Sequence, residues 1–330
     1  MLNIVAKRGW YFLISALVIL PGLASMIMPP DGWVSGHSGL NPGIDFTSGS
    51  VLQVSFETPA TEAQIQQRMD QLGHPEALIQ KIGSRSFLIR TKQLEEAVGG
   101  GQSERTVVQD DLDKFVAPVE SANFDSVSPI IAGETVRTAI YAILAAAVFI
   151  LLYIWYAFRR VPKAYRYGVS AILAMVHDVL IVLGVFSILG KVIDMEVNSM
   201  FIVGVLIVAG YSVNDTIVVF DRIRENVIRY PDRDLASTVN TSIMDTVARS
   251  LNTSFTTLFV LLALLLMGGP SIRELLLVVA IGVVVGTYSS IFIASQFIVI
   301  WERGEIGRLF GRGRRAASGV ATTMMGLIGR

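Results

Sequence analysis

The chain has 330 residues, of which 52% are hydrophobic and only 16% are charged. Soluble domains carry about 25% charged residues, so this composition is not that of an ordinary soluble protein. Basic and acidic residues balance, which argues against nucleic acid as a partner, and the absence of cysteine excludes disulfides, thiol nucleophiles and cysteine-ligated metals.

Six apolar runs are long enough to cross about 30 Å of hydrocarbon. They are Gly9–Met28, Val136–Phe158, Tyr167–Leu189, Asn198–Phe220, Leu251–Met267 and Leu275–Trp301. No small-residue cleavage site follows the first run, which favours a retained anchor over a signal peptide. Lys and Arg concentrate before the first run, in the loops after the second and fourth runs, and in the tail. The two remaining short loops hold one basic residue each, so the asymmetry predicts that both termini are cytoplasmic.

The spans predict four parts: a first transmembrane helix over 1–28, a periplasmic domain over 29–135, a five-helix bundle over 136–301 with a cytoplasmic loop over 221–250, and a basic cytoplasmic tail over 302–330. Within the periplasmic part, strand and helix patterns follow the order βαββαβ, which is typical of ferredoxin-like units. The predicted elements are Val51–Glu57, a helix from a capping box at Thr61 to Gly73, Ala77–Ile82, Ser86–Thr91, Glu104–Val116 and Phe124–Ile130. The expected fold is an α-helical polytopic membrane protein with six transmembrane helices and a small α+β periplasmic domain between the first two.

Two further patterns concern helix packing. An apolar residue recurs at every fourth position before the fifth run, at Leu235, Val239, Ile243 and Val247. This stripe predicts an amphipathic helix that lies along the cytoplasmic membrane surface and leads into the fifth span. In the sixth run, small residues four apart favour close helix packing; they are Gly282, Gly286 and Ser290.

Three ionisable residues lie inside the apolar runs: His177 and Asp178 in the third, and Asp215 in the fourth. A carboxylate at the centre of a lone helix costs about 3 kcal/mol, so such residues face a helix bundle or a water-filled path. Adjacent side chains on a helix diverge by about 100°, so His177 and Asp178 are not expected to point at one partner. Two interpretations are open for them, namely interhelical hydrogen bonds that hold the bundle together and a direct role in proton movement.

Asp215 follows Asn214 and is followed by an uncharged apolar stretch, which favours a position in the membrane over one among the headgroups. A carboxylate there has two states, because desolvation favours the neutral acid and a nearby cation favours the anion. Arg249, at the entry to the fifth run, is a candidate cation if the fourth and fifth spans are neighbours. The alternative is that Arg249 is an ordinary positive-inside anchor.

Several motifs, in order along the chain, resemble those of the SecD/SecF family of protein-export membrane proteins. The segment 43–50 resembles the GIDFTGGS signature through Gly43, Ile44, Asp45, Phe46, Thr47 and Gly49, with Ser48 in place of a glycine. The segments 210–226 and 249–257 resemble the fourth-span hallmark and the RTxxTSxTT element, and 176–179 and 268–270 also fit. The hydroxymethyl group of Ser48 is expected to hinder a backbone conformation that glycine allows.

The resemblance implies a subunit of the bacterial SecDF complex, an RND-type assembly of the inner membrane that uses the proton motive force. Its partners would be SecD, YajC, the SecYEG translocon and a translocating preprotein, with membrane lipid around the spans and protons as the coupling ion. The resemblance implies no cofactor, metal or enzymatic activity. It assigns proton carriage to Asp215 and part of the route to Arg249; the expected proton pathway also includes Asn214, Asp178 and His177.

Three other functions are alternatives to this interpretation. Asp178 and Asp215 suggest an intramembrane aspartyl protease, but no GxGD element precedes Asp215 and the two residues are offset by about 9 Å in depth on straight helices. An RND-like exporter of lipids or small molecules shares the proton chemistry but needs a larger outer domain for an enclosed channel. A structural scaffold leaves Asp215 unexplained.

Overall fold

The computed structural model describes residues 3–28, 39–95, 102–161, 163–193, 195–269 and 272–304. Residues 29–38 of the predicted periplasmic domain, Pro270, and the predicted tail from residue 305 onward lie outside the described residues. The chain divides into two units. The sheet unit comprises Asn41–Tyr141 and Glu196–Ser199; the described residues of the helical unit fall within Met1–Leu40, Ala142–Met195 and Met200–Arg330.

The secondary structure alternates short elements in the sheet unit with long helices elsewhere. The strands are β1 (Gly49–Phe56), β2 (Leu78–Lys81), β3 (Ser86–Thr91) and β4 (Val119–Val127). The helices are α1 (Arg8–Ile27), α2 (Ile44–Thr47), α3 (Glu62–Gln71), α4 (Glu104–Phe115), α5 (Pro129–Ala157), α6 (Tyr165–Ile193), α7 (Ser199–Arg229), α8 (Leu235–Met267), α9 (Arg273–Ser289) and α10 (Ser295–Glu302). A π-helical segment, Ser290–Ala294, joins α9 to α10.

Six helical segments among the described residues are long and apolar enough to cross a membrane, which confirms the six predicted spans. They are Val5–Ile27, Pro129–Ala157, Tyr165–Ile193, Ser199–Arg229, Leu235–Met267 and Arg273–Glu302. Several extend beyond the apolar runs because a helix continues into polar sequence wherever its backbone hydrogen bonds are still satisfied.

The sheet unit has four antiparallel strands in the order β2-β3-β1-β4, which is compatible with the predicted ferredoxin-like unit. The predicted capping box is present: the Thr61 hydroxyl accepts from the Gln64 backbone N–H at 3.3 Å, and the Gln64 side chain accepts from the Thr61 N–H at 3.0 Å. Apolar side chains of β1, α3 and α4 form the core, among them Val54, Ile65 and Leu112.

The last strand lies earlier than predicted. It runs over Val119–Val127 instead of Phe124–Ile130, and Ile130 belongs to α5. The physical reason is Pro129, whose fixed φ angle suits the first position of a helix and which has no N–H to donate to a sheet. The helix therefore takes over where the apolar pattern alone suggested further strand.

The expectation of a separate surface helix before the fifth span is wrong. Leu235–Met267 is one continuous helix of 33 residues. Val239 and Ile243 are fully buried in the core of the helical unit, together with Phe220 and Ile223 of α7. The apolar stripe therefore faces protein, and the preceding amphipathic pattern does not indicate contact with lipid headgroups.

Small residues bring helices of the helical unit into close approach, as the seam in the sixth span predicted. A Cβ at Gly282 of α9 would lie only 2.0 Å from a methyl carbon of Val208 in α7. A Cβ at Gly286 would lie 3.1 Å from the Cβ of Ser212, one turn of α7 further on. Glycine at these positions therefore sets the α7–α9 distance, and with it the positions of the polar side chains between the two helices.

Candidate functional site

Asp178 is at the centre of a hydrogen-bond network inside the helical unit. It lies near the middle of α6 and its side chain is fully buried. Its Oδ2 accepts from the Ser212 hydroxyl of α7 at 2.5 Å and from the Ser289 hydroxyl of α9 at 2.7 Å. The close α7–α9 packing at glycine places these two donors beside the same oxygen.

His177 is hydrogen-bonded to the other carboxylate oxygen of Asp178. Its Nδ1 lies 2.8 Å from Asp178 Oδ1, and its Nε2 lies 2.8 Å from the Ser15 hydroxyl of α1. With Asp178 ionised and the ring neutral, Nδ1–H donates to the carboxylate and the Ser15 hydroxyl donates to Nε2. As expected for adjacent residues of a helix, His177 and Asp178 bond to different helices, His177 to α1 and Asp178 to α7 and α9. The two side chains also contact each other.

The network therefore ties α1, α6, α7 and α9 together through one buried carboxylate. The interhelical hydrogen bonds expected for His177 and Asp178 are present. Side chains of three residues bond to the Asp178 carboxylate, which makes it a connection between helices.

Asp215 has the opposite environment. It lies near the middle of α7 and is 7% exposed. Its Oδ2 is buried and, among the described residues, has no hydrogen-bond partner; the same holds for the hydroxyl of Ser250 in α8. Ser250 is the polar side chain next to the Asp215 carboxylate. A buried, unsatisfied carboxylate oxygen is rare and costly, so Asp215 is the side chain in this site whose charge state demands an explanation.

A π-helical turn in the sixth span lies beside Asp215, and the sequence patterns do not predict it. Within Ser290–Ala294, the Ser290 hydroxyl lies 2.9 Å from the Thr216 hydroxyl, next to Asp215 in α7. The fully buried Gln296 follows one turn later, and both atoms of its amide lack a partner among the described residues. Insertions of this type are frequent at functional sites. The signal in the sequence was only a cluster of Ser and Gln in an apolar run.

Arg249 and Asn214 are placed on the surface of this chain. Both side chains are exposed, and no ion pair between Arg249 and Asp215 is present in the described part of the chain. Arg249 begins an exposed polar stripe on α8 with Asn252, Thr253 and Thr256. The two threonine hydroxyls bond to carbonyl oxygens of their own helix, those of Arg249 and Asn252.

The signature segment 43–50 lies in the sheet unit and forms a helical turn followed by the start of β1. Ile44, Asp45, Phe46 and Thr47 form α2. Ser48 has φ 64° and ψ 167°, and Gly49 has φ 126°. The first of these conformations is one that essentially only glycine adopts without strain, so the expected conflict at Ser48 is present.

The rival functions find little support in the geometry. No hydrogen bond joins Asp178 to Asp215 among the described residues, and each carboxylate has its own environment, so a shared proton of the aspartyl-protease type is not set up. No group of three or more His, Cys, Asp or Glu side chains that could hold a metal ion occurs in the part of the chain that the structure describes.

Comparisons with known proteins agree with the motifs. The family model described as "Protein export membrane protein SecD/SecF, C-terminal" matches residues 107–304, and that of the "SecD/SecF GG Motif" matches residues 33–60. Protein translocase subunit SecF of Thermobaculum terrenum is 39% identical over 322 residues, covering 94% of this chain and 98% of that protein. Protein translocase subunit SecF of Anaerolinea thermophila is 40% identical over 321 residues, covering 96% of this chain and all of that protein.

Among solved structures, this chain is similar to SecDF of Thermus thermophilus, a translocon-associated membrane protein, with a TM-score of 0.73 and 33% identity. The match covers 92% of this chain but only 39% of that longer chain. Because one family model covers more than half of the chain and relatives above 30% identity span nearly all of it, the family is established. The chain belongs to the SecD/SecF family of protein-export membrane proteins.

Proposed function

We propose that this chain acts as the SecF-type subunit of a SecDF assembly in the bacterial inner membrane, with both termini in the cytoplasm and the sheet unit in the periplasm. The assembly uses the proton motive force to assist preproteins that pass through the SecYEG channel, and SecD and YajC are its partners. Family membership and the asymmetric distribution of Lys and Arg support this proposal.

The observation that carries the proposal is the buried, unsatisfied carboxylate of Asp215 in the middle of α7. A buried carboxylate with one oxygen that lacks a hydrogen-bond partner is stabilised by binding a proton, whereas the same residue as an anion attracts a cation or water. One proton that crosses the membrane supplies about 2.3 kcal/mol per 100 mV, enough to shift a two-state helix bundle more than tenfold. Asp215 thus carries the proton, and its two states are coupled to two arrangements of the bundle.

Asp178 and His177 act beside Asp215 as the fixed part of the route. Ser212, which donates to Asp178 of α6, lies on α7 within one turn of Asp215, so a hydrogen-bond partner of one carboxylate shares a helix with the other. Because Asp178 is fully hydrogen-bonded, it holds α7 against α6 and α9 while Asp215 changes charge. Ser15 and His177 extend this polar line to α1.

Arg249 and Asn214 take part through the partner. Asn214, Arg249 and Asn252 are exposed polar side chains on membrane-spanning helices, and the described residues provide no side-chain partner for them. Lipid cannot satisfy such groups, so they face other protein or a water-filled cavity. We assign them to the surface that SecD covers, which places Arg249 at the edge of the proton route.

The test is the Asp215→Asn variant, expressed with its SecD partner in membrane vesicles that carry a preprotein substrate. Asparagine is nearly isosteric but cannot exchange a proton, so proton-dependent translocation should be lost while membrane insertion and complex formation persist. Asp221→Asn is the matched control, since Asp221 lies on the same helix but is exposed and paired with Arg224. Translocation at the native rate in Asp215→Asn would refute the proposed function.

A further inference from the structure

The four residues before and at the start of α7, Glu196–Ser199, pack with the sheet unit. Residues Glu196–Ser199 belong to that unit by their contacts, although α7 itself continues from Ser199 to Arg229. These four residues are held by the segment Asn41–Asp45, which includes the start of the family signature, and by Arg90 of β3. Three different kinds of contact make this connection.

The first contact is a short parallel β-bridge between Pro42 and Val197. The Gly43 N–H donates to the Val197 carbonyl at 2.7 Å, and the Val197 N–H donates to the Asn41 carbonyl at 2.7 Å. A Cβ at Gly43 would lie 3.3 Å from the Val197 carbonyl oxygen and 2.8 Å from the Glu196 carboxylate, which would have to shift. The signature glycine therefore allows the two backbones to approach.

The second contact is a helix cap supplied by a distant residue. The backbone N–H of Ser199, the first residue of α7, donates to Asp45 Oδ2 at 2.7 Å. The first N–H groups of a helix have no partner within the helix, and a carboxylate there also interacts favourably with the helix dipole. Asp45 is fixed on α2, which leads through Ser48 and Gly49 into the central strand β1.

The third contact is an ion pair between Arg90 of β3 and Glu196. Arg90 lies opposite Val51 of β1 in the sheet, so the pair adds a second strand to the attachment. Both side chains are largely shielded, with exposures of 15% and 19%, so the pair is less screened than one at the surface.

The geometry points to the signature segment as the mechanical coupling between the proton site and the sheet unit, with Asp45 as its positioning residue. From Ser199 to Asp215, α7 is one unbroken helix, about 24 Å long at 1.5 Å per residue. A tilt or shift of α7 caused at Asp215 therefore arrives at a helix end that is capped, bridged and ion-paired to the sheet. This inference rests on the proposed function, and it gives the signature a task in that function.

A spectroscopic experiment can test the coupling because the chain has no cysteine. Spin labels at Gln67→Cys on α3 and Asp232→Cys after α7, both at exposed positions, report the distance between the sheet unit and the far end of α7. The full chain is reconstituted with its partner subunit in liposomes, and Asp215→Asn serves as the mimic of the protonated state. In the native background, Asp215→Asn should shift the distance distribution; in the Asp45→Ala background the shift should be substantially smaller.

Export rates complete the test. Asp45→Ala should lower proton-dependent export about fivefold, which corresponds to the loss of one helix cap. Asp45→Asn should retain most of the rate, since the amide oxygen still accepts from the Ser199 N–H. If Asp45→Ala does not accumulate in the membrane, Glu196→Gln removes the ion pair without touching the cap and should also reduce the shift.

The outcomes separate the two ideas. The coupling is refuted if Asp45→Ala transmits the full distance shift and exports at the native rate while Asp215→Asn blocks export. It is also refuted if Asp45→Asn loses as much export as Asp45→Ala, or if Asp215→Asn causes no shift at all. A native export rate in Asp215→Asn instead refutes the proposed function itself.

Discussion

Replacing Asp178 by alanine tests whether this residue is an anchor of the helical unit. The change removes an acceptor of three hydrogen bonds, from Ser212, Ser289 and His177. Ser289 keeps a second acceptor, the Gly286 carbonyl at 3.2 Å, and His177 can change tautomer and donate from Nε2 to the Ser15 hydroxyl, so the loss is not compounded by three stranded donors. Interhelical hydrogen bonds in membrane proteins contribute about 0.6 kcal/mol each on average, so the expected loss of unfolding free energy is about 2 kcal/mol.

The assay is reversible unfolding of the purified chain in mixed micelles, followed by circular dichroism. Asp178→Asn keeps an acceptor for Ser212 and should lose less stability than Asp178→Ala. Asp221→Ala is the control: its carboxylate is exposed and paired with Arg224 three residues away, so its loss should cost at most about 0.5 kcal/mol.

Export measurements on the same variants decide between the two interpretations of Asp178. An anchor predicts that Asp178→Asn still supports proton-dependent export, in contrast to Asp215→Asn. If Asp178→Ala is as stable as the native chain, the anchor assignment is refuted. If Asp178→Asn abolishes export while its stability is nearly native, Asp178 belongs to the proton carriers.

Three further outcomes are expected. Gly282→Ala should destabilise the chain by about 1–3 kcal/mol, because the added Cβ clashes with Val208, and a second change, Val208→Ala, should recover part of this loss. Gly133→Ala is the control, since its Cβ would meet nothing within 4 Å. Equal stability of Gly282→Ala and Gly133→Ala would contradict close α7–α9 packing at Gly282. Ser48→Gly should stabilise by about 1 kcal/mol because it relieves the strained φ of 64°, whereas Ser84→Gly, without positive φ, should not, and thermal melts of the two compare them directly. The pKa of the Glu76 carboxyl is lowered, chiefly by a hydrogen bond from its own backbone N–H and further by Lys92. The contribution of this carboxylate to stability is therefore present at neutral pH and is lost as the pH falls through the lowered pKa. Glu76→Gln should lose less stability on acidification than the native chain, and identical acid melts of the two would contradict this expectation.

The spans and the capping box could be predicted because local patterns determine them. A run of apolar residues identifies a membrane helix whatever it packs against, and Thr61 with Gln64 signals a helix start from four residues alone. The stripe at Val239 and Ile243 shows the limit of such patterns, since period and polarity do not tell lipid from protein as the apolar environment. Pro129 shows a second limit, because one residue ended a strand that the alternation would have continued.

The sequence identified candidate residues of the site but not the contacts between them. Sequence alone placed Asp178 and Asp215 inside the spans, at different depths, but did not identify their hydrogen-bond partners. The difference between the two acids arises from neighbours on other helices, because Ser212 and Ser289 reach Asp178 where glycine lets α7 and α9 approach. The sequence could not decide whether Arg249 pairs with Asp215, because neither segment encodes the distance between the two helix surfaces.

The distribution of hydrogen bonds also indicates which part of α8 is held less firmly against its neighbours. Asp178 joins α6, α7 and α9, whereas the contact between α7 and α8 beside Asp215 has unsatisfied oxygens on both sides. Helix α8 is held to α9 by a bond between the Ser254 and Thr287 hydroxyls at 2.5 Å. Each of these hydroxyls also bonds to a carbonyl of its own helix, so their mutual contact can break without leaving a stranded donor. Further along the two helices, Arg222 of α7 pairs with Asp245 of α8, and the Asn226 amide donates to the Ser242 hydroxyl at 2.9 Å. The side-chain bonds between α7 and α8 therefore lie before Ser250 in α8, and a change of charge at Asp215 meets less resistance in the segment of α8 that follows Ser250.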